Sequence, residues 1–173
     1  HFNEKKGVAN LLSLVKLAKE GGIDVNLELV GEIDADLYES YVKIINNFEI
    51  SDHITFHGRI SRPELSLLMR NWDLYVQASV CEGHPNSVIE SLENGISFIS
   101  TRTGYIFEKL HCDFPEYFFD DNTPASMLKG VLALLNDKKH PIKWGKNASG
   151  YTEEALDAVS AYIGTYIVSF RIE

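Results

Sequence analysis

"DLYVQASVCEGHPNSVIESLENGISFIST", residues 73–101, holds a strand, a loop, a helix and a second strand in one short run. The β-rich segment 73–79 predicts the first strand, and Gly83-His84-Pro85-Asn86 predicts a turn. Periodic apolar residues over 86–94 then predict a helix, and "SFIST" at 97–101 predicts the next strand. A strand reached from another strand through a helix is the crossover unit of a parallel sheet. In open sheets of that kind ligands bind at the loops leaving the carboxyl ends of the strands. Here that loop carries Glu82, and Glu90 follows it with seven residues between. The two acids have two readings. They are ordinary surface charge, or they bind hydroxyls of a ligand whose anion rests on the helix N-terminus.

The same alternation runs outward in both directions. "GVANLLSLVKLAKEGG" has an apolar face of Val8, Leu11, Leu12, Val15, Leu17 and Ala18 and closes on a glycine pair suited to a helix end. "VNLELVG" reads as a buried strand, and the next helix is carried by Leu37, Tyr41, Ile44, Ile45 and Phe48. "HITFHG" is a short strand closing on Gly58, and Ser61 with Glu64 forms a capping box for the helix that follows. Beyond the opening unit, "EYFF" at 116–119 suggests a short strand. Pro124 starts a helix with Leu128, Val131, Leu132 and Leu135 on one face. A last helix is expected over 153–170, through Ala155, Leu156, Val159, Tyr162, Ile163 and Tyr166. The fold class is therefore α/β, a doubly wound, Rossmann-like parallel sheet with helices on both faces. Residues 1–173 are expected to form one domain without repeats or linkers. The first helix, alone among the early ones, has no strand before it, so a strand and with it a further domain are expected upstream.

With 45% hydrophobic and 24% charged residues the chain has the balance of a soluble globular domain. A net charge of -9 argues against nucleic acid or anionic lipid as a partner, because those call for a basic patch, and any anionic ligand must be held locally. The two cysteines, Cys81 and Cys112, have no metal-ligand spacing and point to a reduced, cytoplasmic setting, with Cys81 read as packing. No apolar run is long enough to span a bilayer, which leaves at most peripheral attachment to the inner face of the membrane.

The series "EKKGV", "LELVGE", "ITFHGRIS" and "WDLYVQASVCEGHPNSVIESLENGISFISTRTGYIFEKL" resembles the carboxy-terminal, donor-binding half of retaining glycosyltransferases of the GT-B architecture, the large group one family. The resemblance covers residues 4 to 136 and is carried by the spaced glutamates, Gly95, a Lys-Gly at one end and Gly104 to Glu108 at the other. This chain departs from the family at Glu93 and Asn94, where Ala and Cys are common, and at Tyr105, where a second glycine is common. The family also has an arginine at the end of the upstream strand, which has no counterpart here.

The resemblance implies a nucleoside diphosphate sugar, of UDP or GDP type, as ligand, and glycosyl transfer with retention to a glycan or lipid acceptor bound by a domain outside this chain. The fragment alone is then inactive. It implies that Glu90 accepts hydrogen bonds from the ribose diol, the alternative being a carboxylate that favours the helix dipole. Glu82 is implied to meet the donor sugar, or is an exposed loop acid. Gly83 lets the backbone approach, and the amides near Asn86, Ser87 and Val88 face the diphosphate. A helix N-terminus contributes only about 0.3 to 2 kcal/mol to holding charge. A cation is therefore needed, and the family's lysine implies Lys6, with Lys5 one register away. The base is expected against the backbone of Arg59 and Ile60. His84 is a turn residue or lies near the sugar, and Glu108 positions the diphosphate loop or caps a helix. No cofactor and no metal is called for. Two other readings stay open: a nucleotide-binding or regulatory domain without transferase activity, and a nucleotide-sugar epimerase.

Overall fold

The structure is a computed structural model and describes residues 4–83, 86–136 and 167–172. A short 3-10 turn at Glu4–Lys6 leads through Gly7 into α1, Val8–Glu20. Then come β1 (Val25–Val30), α2 (Ala35–Phe48), β2 (Ile54–Gly58), α3 (Arg62–Met69) and β3 (Leu74–Gln77). They are followed by α4 (Asn86–Glu93), β4 (Phe98–Ser100), α5 (Gly104–Leu110), α6 (Pro124–Asn136) and β5 (Ile167–Ile172). The sheet order is β2-β1-β5-β3-β4. β1 pairs parallel with β2 and β3 parallel with β4, as the helix crossovers require.

Two apolar layers cover the sheet, which makes the fold doubly wound. One layer joins Leu11, Leu12 and Val15 of α1, Tyr41 and Ile45 of α2, and Met127 and Val131 of α6 to Leu27, Leu29 and Val76. The other joins Leu65 and Met69 of α3, Val88 and Leu92 of α4, and Ile106 of α5 to Tyr75 and Phe98. β3 is buried at all four positions, as expected of a strand covered on both faces, and its last residue, Gln77, is a buried polar side chain. The capping box at the start of α3 is formed in full: the Ser61 hydroxyl accepts from the Glu64 amide and the Glu64 carboxylate accepts from the Ser61 amide.

Three sequence expectations change. The helix expected over 153–170 lies outside the described residues up to 166, and its end, Ile167 to Phe170, is in β5. That run, Ile-Val-Ser-Phe, is too short to carry a helical period of its own. β5 pairs antiparallel with both β1 and β3, two partners whose ladder bonds outweigh local propensity. β5 thus makes the sheet mixed rather than wholly parallel, and it holds the central position between β1 and β3. "EYFF" is not a strand but a 3-10 turn at Pro115–Tyr117 followed by one parallel bridge, Ser100 to Phe118. Its aromatic residues are spent on packing, with Phe98 against both Tyr117 and Phe118. Finally, α1 buries Leu14 rather than Leu17, because its apolar face is wider than one stripe.

Candidate functional site

The loop after β3 is locked by its neighbours on two sides. On one side, the Val80 amide donates to the Lys5 carbonyl at 2.8 Å. Gly7 lies so close to β3 that a Cβ there would meet the Ala78 carbonyl oxygen at 2.1 Å, and its φ of 71° also favours glycine. On the other side, Thr101 Oγ1 donates to the Ser79 carbonyl at 2.6 Å, and the Glu82 amide donates to Thr103 Oγ1 at 3.2 Å. The Tyr105 amide donates to the Gly83 carbonyl at 2.9 Å. Gly104 has a φ of 74°, and a Cβ there would stand 2.6 Å from the Glu82 carbonyl oxygen. Lys6, Glu82, Gly83 and Gly104, four residues singled out from the sequence, are brought together by this interlock.

Lys6 Nζ donates to Glu82 Oε1 at 2.5 Å, with the two side chains 24% and 17% exposed. The pair is half-buried at the rim of the loop, so solvent screens it only in part. Lys5 has an exposed side chain and contributes its carbonyl to the loop, which separates the roles of the two neighbouring lysines.

Glu90 lies one turn into α4, its side chain 14% exposed, among buried Val88, Ile89, Ser91 and Leu92. Arg62, the first residue of α3, reaches it from the far side, with Nη2 3.7 Å from Oε1 and the arginine 72% exposed. The guanidinium spans from the end of the loop after β2 to α4. Arg59 in that loop is exposed and Ile60 half-buried. Glu28 Oε2 accepts from Trp72 Nε1 at 3.0 Å and pairs with His57 Nε2 at 2.9 Å, tying β1 and β2 to the entry of β3.

At the start of α4, Asn86 is half-buried while Ser87 and Val88 are buried. The Tyr75 hydroxyl and Ser87 Oγ are 2.6 Å apart. Burial, with the charges of Glu82 and Glu90 adding to it, pushes the Tyr75 phenol well above its ordinary pKa.

His84 lies outside the described residues. Glu108 is exposed inside α5, past its first turn, and so caps no helix that follows. Cys81 is exposed rather than packed, because the loop turns it outward while Val80 and Glu82 make the backbone bonds. The sequence reading missed Arg62, Thr103 and Tyr75. Thr103 was within reach as the residue before Gly104, whereas the Arg62 and Tyr75 contacts join separate elements and leave no local pattern. Among the described residues no three His, Cys, Asp or Glu side chains gather as a metal-ligand set, and no helix is long and apolar enough to cross a membrane.

The family described as "Glycosyl transferases group 1" matches residues 1–150. A curated relative, protein CapJ of Staphylococcus aureus, is 25% identical over 149 residues, covering 83% of this chain and 36% of its own. A D-inositol 3-phosphate glycosyltransferase of Pseudarthrobacter chlorophenolicus is 23% identical over 146 residues, covering 81% of this chain and 35% of its own. The chain thus spans about a third of the length of these relatives. Among solved structures, HepE of Anabaena in complex with UDP superposes with a TM-score of 0.73 at 16% identity, over 91% of this chain and 43% of that one. This likeness carries the fold, the Rossmann-like half of the GT-B glycosyltransferases.

Proposed function

Because the chain belongs to the group 1 glycosyl transferases, we propose that it is the donor-binding half of a retaining glycosyltransferase that takes a nucleoside diphosphate sugar, of UDP type. HepE, whose fold this chain shares, is known in complex with UDP and with UDP-glucose, which supports the choice of probe. The observation that carries the reading is the placement of Lys6 with Glu82 and of Arg62 with Glu90 on either side of the α4 N-terminus. One acid and one cation stand at each end of a row of helix amides. A ligand with a diphosphate between two hydroxyl-bearing sugars has the complementary order of groups.

In this reading the diphosphate takes Lys6 from Glu82 and lies on the amides of Asn86, Ser87 and Val88. Glu82, relieved of its lysine, accepts hydrogen bonds from the donor sugar's hydroxyls. Glu90 accepts from the ribose diol, and the backbone of Arg59 and Ile60 reads the base. Gly83 and Gly104 keep the loop close enough for these contacts. In transfer, the bond from the anomeric carbon to the diphosphate oxygen breaks, and its electron pair leaves with the nucleoside diphosphate. Lys6 and the helix amides stabilise that charge, a contribution of electrostatics and positioning. The acceptor oxygen bonds to the same face of the sugar, and its proton passes to the departing diphosphate oxygen. We assign the acceptor, a glycan or lipid, to a part of the protein beyond this chain, and place the reaction in cytoplasmic polysaccharide synthesis.

Calorimetry on the 173-residue chain tests the reading. UDP and UDP-glucose bind and no transfer occurs from this chain alone. Absence of UDP binding, or turnover of radiolabelled donor by the fragment, overturns it.

A further inference from the structure

The Tyr75 hydroxyl and Ser87 Oγ are 2.6 Å apart, with the residues 2% and 9% exposed. Tyr75 lies on β3 and Ser87 in the first turn of α4, so this bond ties the helix start to the strand beneath it. By distance alone either atom donates. Chemistry decides the direction. The phenol sits in the apolar layer with Val88, Ile89 and Phe98, and among the described residues Ser87 is its hydrogen-bond partner. A phenolic O–H left without an acceptor there would carry the full cost of desolvation. The phenol is also the more acidic of the two hydroxyls. Tyr75 therefore donates and Ser87 Oγ accepts, which leaves the serine's own hydrogen available for a second partner. Burial and the charges of Glu82 and Glu90 keep the phenol protonated, which maintains the direction of the bond.

A second observation concerns the same strand face. Gln77 follows Tyr75 by two residues and so points to the same side of the sheet, nearer the carboxyl end where ligands bind. It is 3% exposed, and among the described residues neither Oε1 nor Nε2 has a hydrogen-bond partner. A buried amide in that position calls for a polar partner that arrives with the ligand or with ordered water.

We propose that Tyr75 is a positioning residue of the donor site, holding Ser87 so that the serine hydroxyl, and not only its amide, donates to the ligand's diphosphate. This rests on the donor-site reading above. The hydroxyl adds a directed neutral donor to the helix amides, which matters on a chain of net charge -9, where cations near the site are already paired with acids.

The test uses the 173-residue chain with UDP and with uridine, which shares the base and ribose but has no phosphate. Ser87→Ala weakens UDP roughly tenfold to a hundredfold, the worth of one hydrogen bond to an anion, and leaves uridine unchanged. Tyr75→Phe gives a loss of the same size for UDP alone, and the double variant is no worse than either single one. If both variants only lower the melting temperature and bind UDP as before, or if uridine loses as much as UDP, the proposal is overturned. Should Tyr75→Phe fail to fold, Ser87→Ala decides by itself. Glu90→Ala separates the two levels. When it weakens UDP and Ser87→Ala does not, this inference falls alone; when Glu90→Ala has no effect, the donor-site reading falls and takes the inference with it.

Discussion

Lys6 Nζ stands 2.5 Å from Glu82 Oε1, a contact between residues 76 positions apart in the chain. A diphosphate that takes this lysine must first separate it from its acid. Glu82→Gln removes that competition, and a partly exposed pair is worth up to about 1 kcal/mol. UDP affinity should therefore rise about two- to fivefold. UDP-glucose should lose whatever advantage it holds over UDP, because the sugar's carboxylate partner has gone. Titrating both ligands against this variant checks the exchange, and equal gains for both would reduce Glu82 to a surface charge.

Lys6→Ala should cost UDP about 1.5 to 3 kcal/mol, or roughly tenfold to a hundredfold in affinity, as expected for a charge-assisted bond. Lys5→Ala should change it by less than about twofold, since the Lys5 carbonyl contact survives the substitution. The comparison fixes which of the two lysines serves the phosphate. A larger loss from Lys5→Ala would reverse the assignment.

Gly104→Ala forces an L side chain into a φ of 74° and places its Cβ 2.6 Å from the Glu82 carbonyl oxygen. Backbone strain of this kind costs about 1 to 3 kcal/mol. The relief available is movement of the Glu82 loop. The variant should melt earlier and bind UDP-glucose less well, with uridine affected least, because the contacts proposed for the base and ribose, at Arg59, Ile60 and Glu90, do not involve the Glu82 loop.

Ser61→Ala removes the cap of α3 and should lower stability by about 1 kcal/mol in denaturant unfolding. The hydroxyl and amide of Ser61 hold the Glu64 carboxyl below its ordinary pKa. A lowered folded pKa means that Glu64's contribution is present above its unfolded value and is lost as pH falls through the folded one. The gap between wild type and Ser61→Ala should accordingly narrow in acid. A gap that widens there would contradict the capping box.

The elements of the fold were legible wherever local chemistry repeats. α1, α2, α3 and α4 show helical spacing and recognisable ends, and β1, β3 and β4 are short, largely apolar segments bounded by turns. β5 was not legible, because Ile167 to Phe170 has no period and becomes a strand only through two partners distant in the chain. The site divides in the same way. Glu82, Glu90 and the α4 amides sit within one short motif and could be found there. The side chains that face them, Lys6 across 76 positions, Arg62 from α3 and Tyr75 from beneath, meet them only after the sheet has formed. Lys6 was singled out because of its place before Gly7, but not as the partner of Glu82.

The central claim is that Glu90 holds the ribose of a nucleoside diphosphate, and calorimetry of UDP on Glu90→Ala tests it most directly. Loss of a charged hydrogen bond predicts affinity reduced about tenfold to a hundredfold, for UDP and UDP-glucose alike, with the fold retained. If Glu90 were only one of the acids of a chain carrying -9, removing it would leave binding unchanged or strengthen it slightly, with the gain fading as salt is added, and that result would contradict the account.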